Sequence, residues 1–197
     1  DLRIAWNNVS VVDPIFTIPI IILVILSVRK ANPVFSKIAL FWGVSYLLIG
    51  VLQRERAELL GWDLAQSRGH TPARLEAKPG FGNLLLWKIV YETNDRFYVD
   101  AYRMGVKPQL FKGDSVRKLD MARDLPWLEA DTQQGDDLRR FKWFSNDYLG
   151  IDPNNPLYII DIRYSMLPNQ IDPLWGIILN PNAGPEEHVI YQADRSG

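Results

Sequence analysis

Residues 9–28, VSVVDPIFTIPIIILVILSV, carry a single charge, Asp13, in 20 positions. Wound as a helix at about 1.5 Å per residue, the stretch is about 30 Å long, the thickness of a bilayer's hydrocarbon layer. Its later part, IPIIILVILSV at 18–28, is apolar on every helical face, so a helix made of it has no polar side to offer water. Asp13-Pro14 marks the start. The aspartate is an acceptor side chain at the N-cap, and proline in the first turn lacks only an N–H that has no helical partner there. The spacing predicts a helix from Pro14 to about Val28, with Pro19 either kinking it or prolonging its irregular entry. Arg29-Lys30 closes the apolar run, and Ala31-Asn32-Pro33 forms a turn because proline disfavours helix at the residue before it.

A second apolar segment runs from Ile38 to Leu52, with Trp42 and Tyr46 inside it. The two segments together predict a transmembrane helical hairpin; the second, at 15 residues, also fits a hairpin buried in a soluble core. Beyond Leu52 the helix is expected to continue as an amphipathic extension to Arg68, where Leu59, Leu60, Trp62 and Leu64 alternate with Arg54, Glu55, Arg56, Glu58 and Asp63. Gly69 and Pro72 supply the stop.

From Thr71 onward the chain consists of short β-like runs between Gly, Pro, Asn and Asp. Residues 83–93 (NLLLWKIVYET) and 96–103 (RFYVDAYR) read as a hairpin turning at Asn94-Asp95. Further strands are expected at 157–164, 175–179 and 189–192, and short amphipathic helices at 115–125 and 138–148, the latter with Leu138, Phe141, Lys142 and Ser145 on one side. The fold class is therefore α+β: a membrane helical hairpin with its extension at 1–70, then a β-rich antiparallel extramembrane domain at 71–197.

The 197 residues carry 22 basic and 23 acidic side chains, a net charge of −1, so no global field recruits nucleic acid. The absence of cysteine excludes disulfides, thiol nucleophiles and thiolate metal sites. His70 and His188 belong to no metal-ligand spacing; the first reads as a helix-end cation and the second as solvated surface. No nucleophile elbow or phosphate loop occurs, and Lys78-Pro79-Gly80-Phe81-Gly82 reads as a turn with no helix after it to hold phosphate. Asp100 and Asp161 lie in strand-like runs, where the ordinary reading is an outward-facing member of an alternating strand and the other is a functional acid. Asp13, an ionisable group at the edge of a membrane helix, is either an N-cap or a functional residue. Trp6, Asn7 and Asn8 would share its depth. Trp87, Tyr91, Phe97, Tyr98 and Tyr102 are either core or the exposed face of an anchored module that binds a protein or glycan.

The run DLRIAWNNVSVVDPIFTIP (1–19), followed by two apolar helices and a tail bearing LLLWKIVYETNDRFYVDAYR (84–103), resembles the membrane-bound metal-dependent hydrolases of the bacterial inner membrane. Trp6-Asn7-Asn8 with Asp13-Pro14, Thr17 and Pro19 is the most specific part. The resemblance implies a divalent metal held by His- and Asp-bearing segments upstream, in an HRGxTHS-like motif that nothing here matches. It makes this chain the C-terminal part of such a hydrolase, inert by itself, with Asn7, Asn8 and Asp13 in supporting roles near the site. The opening at Asp1, with no methionine and no signal-peptide n-region, fits either a chain from which something was removed or a piece of a longer protein. The expected partner is the lipid bilayer and the expected substrate lipid-like; self-association is left open. Arg29, Lys30 and Lys37 would put the turn in the cytoplasm and the β-rich domain outside, a bias that Arg54, Arg56 and Arg68 nearly offset.

Overall fold

A computed structural model describes residues 7–193; Trp6 lies outside the described residues. Helix α1 spans Pro14–Arg29 and α2 spans Val34–Ser67. Asp13 caps α1, its Oδ1 accepting the N–H groups of Ile15 and Phe16 at 3.1 and 3.2 Å, and Pro19 is accommodated within one continuous helix. The two helices run antiparallel along each other, joined at one end by the Ser27–Ser36 hydroxyl pair at 2.6 Å and at the other by Tyr46 and Asp13. Helix α1 buries none of its residues. Among the described helices α2 alone is long and apolar enough to cross a membrane, with a mean hydropathy of 1.8 over 18 residues. It continues without a break through the predicted extension to Arg68, and Gly69 ends it at φ 75°, a left-handed conformation natural to glycine.

The remainder is α+β, built on two antiparallel sheets. The first contains β1 (Arg74–Pro79), β2 (Leu86–Glu92), β3 (Arg96–Arg103) and β4 (Gln109–Phe111) in that order, with β5 (Ser115–Arg117) also on β3. Two helices follow, α3 (Met121–Asp124) and α4 (Gln133–Phe144). The second sheet is β6 (Leu149–Ile151), β7 (Tyr158–Asp161), β8 (Gly176–Ile178) and β9 (Ile190–Gln192). The layers stack as α2, first sheet, second sheet, α4. Trp87, Ile89 and Tyr91 of β2 pack on Ala57 and Ala65 of α2; Val90, Phe97 and Val99 meet Tyr158, Ile160 and Ile162 between the sheets; Leu138 and Phe141 cover Leu149, Ile159 and Ile177.

Two expectations need correction, and one strand went unread. Residues 115–125 are not a helix: Val116 is buried between the sheets and β5 pairs with β3, leaving only α3's single turn. The helix expected at 138–148 begins at Gln133, because Thr132 caps it and the polar Gln134 and Asp137 of its first turns face inward, bonded to Asn180 and Val189. Its inward side is Leu138, Phe141 and Ser145, with Lys142 exposed. Strand β1 went unread because Arg74, Glu76 and Lys78 alternate with Leu75 and Ala77, and its charged face turns toward the gap between the sheets instead of toward water.

Candidate functional site

That gap is where charge accumulates. In the β1–β2 register Lys78 stands directly opposite Lys88. Both belong to the face that looks into the inter-sheet layer, and they are only 6% and 4% exposed. Like charges directly opposite each other destabilise a strand pair, and burial adds a desolvation cost to each. Lys78 is relieved by Glu76, 3.0 Å from its ammonium. Lys88 is not relieved in that way: it donates to the Ser165 hydroxyl at 2.6 Å and to the Gln170 carbonyl at 3.1 Å, both neutral acceptors. Burial, opposed by the field of Asp161 and reinforced by that of Lys78, pushes its pKa down to about 7.

The second sheet supplies the opposite wall. The segment after β7 carries Arg163, Tyr164 and Ser165. Arg163 clasps fully buried Asp161 with Nε and Nη2, at 2.9 and 2.6 Å, while the Trp175 indole donates to the same carboxylate at 3.2 Å. The Ser165 hydroxyl donates to the Leu167 carbonyl at 2.7 Å, closing a tight turn over Lys88. Lys78, Lys88, Arg163, Tyr164 and Ser165 together line a cavity of about 120 Å³. Its third wall is the chain entering α1: Asn7, Val9, Ser10 and Val11, beside Pro79–Phe81. Entry segment and β1–β2 loop are tied by the Gly82 N–H, which donates to the Val12 carbonyl at 3.1 Å.

Of the residues singled out by sequence, Asn7 lies on this cavity, with φ 40°. Asn8 and Asp13 sit behind it, against α2. Asp13 is buried; its second oxygen accepts the Tyr46 hydroxyl at 2.8 Å, so N-cap and cross-helix contact together occupy both carboxylate oxygens. Asn8 accepts Arg54 Nη1 at 3.2 Å, and its carbonyl lies where any side chain on Gly50 would have to be. Asn8 and Asp13 thus lock the entry segment to α2. Among the described residues no group of three or more His, Cys, Asp or Glu side chains could hold a metal ion.

The remaining candidates are tied into the fold. Asp100 does not face outward: it is fully buried, gripped by Arg68 at 2.6 and 2.8 Å and by the Gly113 N–H at 3.0 Å. Asp161 is inward as well. His70 sits at the end of α2, 2.9 Å from the Tyr91 hydroxyl and against the Tyr98 ring. His188 is exposed but engages buried Asp137 at 2.8 Å, so it is not free surface. Trp87, Tyr91, Phe97 and Tyr102 are buried in the packing layers and form no exposed aromatic face. Sequence reasoning passed over Lys88, Arg163 and Ser165. The available signal was a lone lysine inside LLLWKIVYE, flanked by the core residues Trp87, Ile89, Val90 and Tyr91. No family model, no curated protein and no solved structure matches the chain.

Proposed function

We propose that this chain is the membrane-bound, C-terminal portion of a metal-dependent hydrolase of the bacterial inner membrane, and that it presents an amphiphilic substrate to metal-bearing residues outside it. The observation that carries the proposal is the position of the cavity. Its mouth is bordered by Val11, 100% exposed, and Phe81, 58% exposed, at the level where α1 begins. Below it, α1 and the first half of α2 display Ile18, Ile21, Ile22, Ile25, Phe41, Leu47 and Leu48 outward. An apolar surface of that extent requires a cover, and acyl chains supply one. A substrate with its tail among those chains would reach the cavity with its head. The turn-in-cytoplasm orientation stays part of this proposal.

The test begins with the coding sequence upstream of Asp1, where apolar segments bearing paired His and Asp residues are expected. The complete protein, purified in detergent, should then hydrolyse an amphiphile in mixed micelles, lose that activity to a chelator and regain it with a divalent metal. Chelator-resistant hydrolysis by residues 1–197 alone would overturn the assignment of the metal site.

One observation favours a second reading, an anchored module that binds a protein or glycan. Phe144, Trp175 and Tyr191 line an open groove of about 420 Å³ beside Arg140, with Phe144 and Tyr191 exposed. Loss of partner or oligosaccharide binding in Tyr191→Ala would support it, whereas retention would exclude this groove.

A further inference from the structure

We infer that the cavity between β1, β2 and the 163–168 segment binds a phosphate-type oxyanion, held by the cross-strand lysines Lys78 and Lys88. The inference deepens the proposal above and rests on it only in placing the cavity at the bilayer surface.

Two ammonium groups on directly opposed strand positions, both buried, form an arrangement that a fold without a ligand has reason to avoid. Removing either lysine would relieve it, since the neighbouring positions Trp87, Ile89, Val90 and Ala77 are all apolar and buried. The built-in counter-charges go elsewhere first: Glu76 is taken by Lys78, and Asp161 is saturated by Arg163 and Trp175. Among the described residues Lys88 therefore faces the cavity with neutral oxygens as its hydrogen-bond acceptors, and an entering anion is the partner that compensates it. A tetrahedral oxyanion would take up Lys88 Nζ and Lys78 Nζ, with the Ser165 hydroxyl able to turn from the Leu167 carbonyl toward it. A neutral or cationic head would gain nothing from this wall. The charged and titratable groups around Lys88 are Lys78 and Glu76 from β1, Asp161 from β7, whose field reaches it, and Arg163 and Tyr164 just after it; β3 contributes Ala101 in register and, two positions along on the same face, the exposed Arg103.

Phosphate chemistry is shared by a lipid headgroup and a free phosphate ester, and one experiment distinguishes them. The chain is purified in dodecyl maltoside, which carries no phosphate. It is titrated by phosphorus NMR with glycerol 3-phosphate and, separately, with dihexanoylphosphatidic acid, which adds two short acyl chains to the same head. Both are expected to bind. At least tenfold tighter binding of the acylated probe assigns the site to a lipid head, and equal affinity assigns it to a soluble ester. Lys88→Met is expected to weaken either probe at least tenfold, and Lys78→Gln, which leaves Lys88 in place and tests the site if Lys88→Met fails to fold, several-fold. Diethyl phosphate, a monoanion throughout, should bind more tightly at pH 6 than at pH 8.5, because the lysine must be charged to receive it. Binding unaffected by both substitutions, or no binding of any probe, overturns the inference. The functional proposal fails separately: probe binding that depends on Lys88, in a complete protein that hydrolyses no amphiphile, leaves the anion site standing. Metal-dependent hydrolysis in a complete protein whose probe binding is unchanged by both lysine substitutions removes the anion site and leaves the hydrolase.

Discussion

Lys88 makes the fold less stable in acid than in base. In the unfolded chain its ammonium keeps a pKa near 10.5, whereas in the folded protein burial lowers it to about 7. Between those values the unfolded state holds a proton that the native state has released, so stability rises with pH across that window. Below about pH 7 both states are charged and the fold bears the whole cost, on the order of a few kcal/mol. Lys88→Met should therefore raise the melting temperature at pH 6 by several degrees, and the gain should vanish by about pH 10.5; thermal unfolding in detergent at the two pH values decides it. A melting temperature lowered at both would show that Lys88 is held by its hydrogen bonds more strongly than burial opposes it. Asp100 is the opposite case, a buried carboxylate satisfied by a bidentate guanidinium and an amide. Asp100→Ala leaves Arg68 without its counter-charge and should cost about 3–5 kcal/mol, visible as loss of the β-rich fold's cooperative melt. At this scale sequence was least informative. Asp100, Asp161, Lys78 and Lys88 are all polar members of alternating strands, and alternation says which face a residue occupies, not which face is wet. In a protein with a sheet covered on both sides, neither is.

Helix α2 carries the join between the two parts, and its chemistry shows how. Gly50, Ala57, Gly61 and Ala65 are all buried and recur at helical spacing, so the helix meets the entry segment and the first sheet along a side of small residues. At Gly61 a β-carbon would lie 2.8 Å from Ile89 Cγ2 and 3.0 Å from Leu75 Cδ1, closer than such atoms pack. Gly61→Val should force helix and sheet apart and destabilise by about 1–3 kcal/mol or more, while Trp62→Ala one position along, on the exposed side, should cost little. Comparing the two variants' thermal melts separates a packing effect from one of helix propensity. The helices were legible because their signals are local: an unbroken apolar run, Asp13-Pro14 at one start and Gly69 at one stop. So was the β2–β3 hairpin, with Asn94-Asp95 between two aromatic runs. Strands β1 and β5 and the start of α4 were not, since each is fixed by a long-range partner: β2 for the charged face of β1, β3 for Ser115–Arg117, and Asn180 and Val189 for the polar first turns of α4.

At the scale of the molecule, the two ends of α2 live in different surroundings. Its second half is one outer layer of a four-layer stack whose other layers are two sheets and α4. Among the described residues its first half packs against α1 and the entry segment at Asn8 and Asp13, and α1 buries nothing. At 16 residues α1 is about 24 Å long, short of the ~30 Å hydrocarbon thickness, and the exposed Val11 and Val12 before it extend the apolar surface to the level of Phe81. This geometry fixes where the bilayer surface should fall if the helices insert: at the cavity mouth, with the sheets wholly in water. Because the chain has no cysteine, single spin labels can be introduced without removing anything. Ile22, Leu48, Phe81 and Tyr191 all point outward, so labels there should not disturb packing. In reconstituted bilayers, labels at Ile22 and Leu48 should be reached by oxygen and shielded from a water-soluble nickel chelate, the label at Phe81 should show intermediate depth, and the label at Tyr191 should behave as fully aqueous. A label at Ile22 shielded from both oxygen and the nickel chelate would mean that the apolar face of α1 is covered by protein instead of lipid. In that case the cavity would open onto a partner's surface, and the preference for an acylated phosphate over glycerol 3-phosphate should disappear with it.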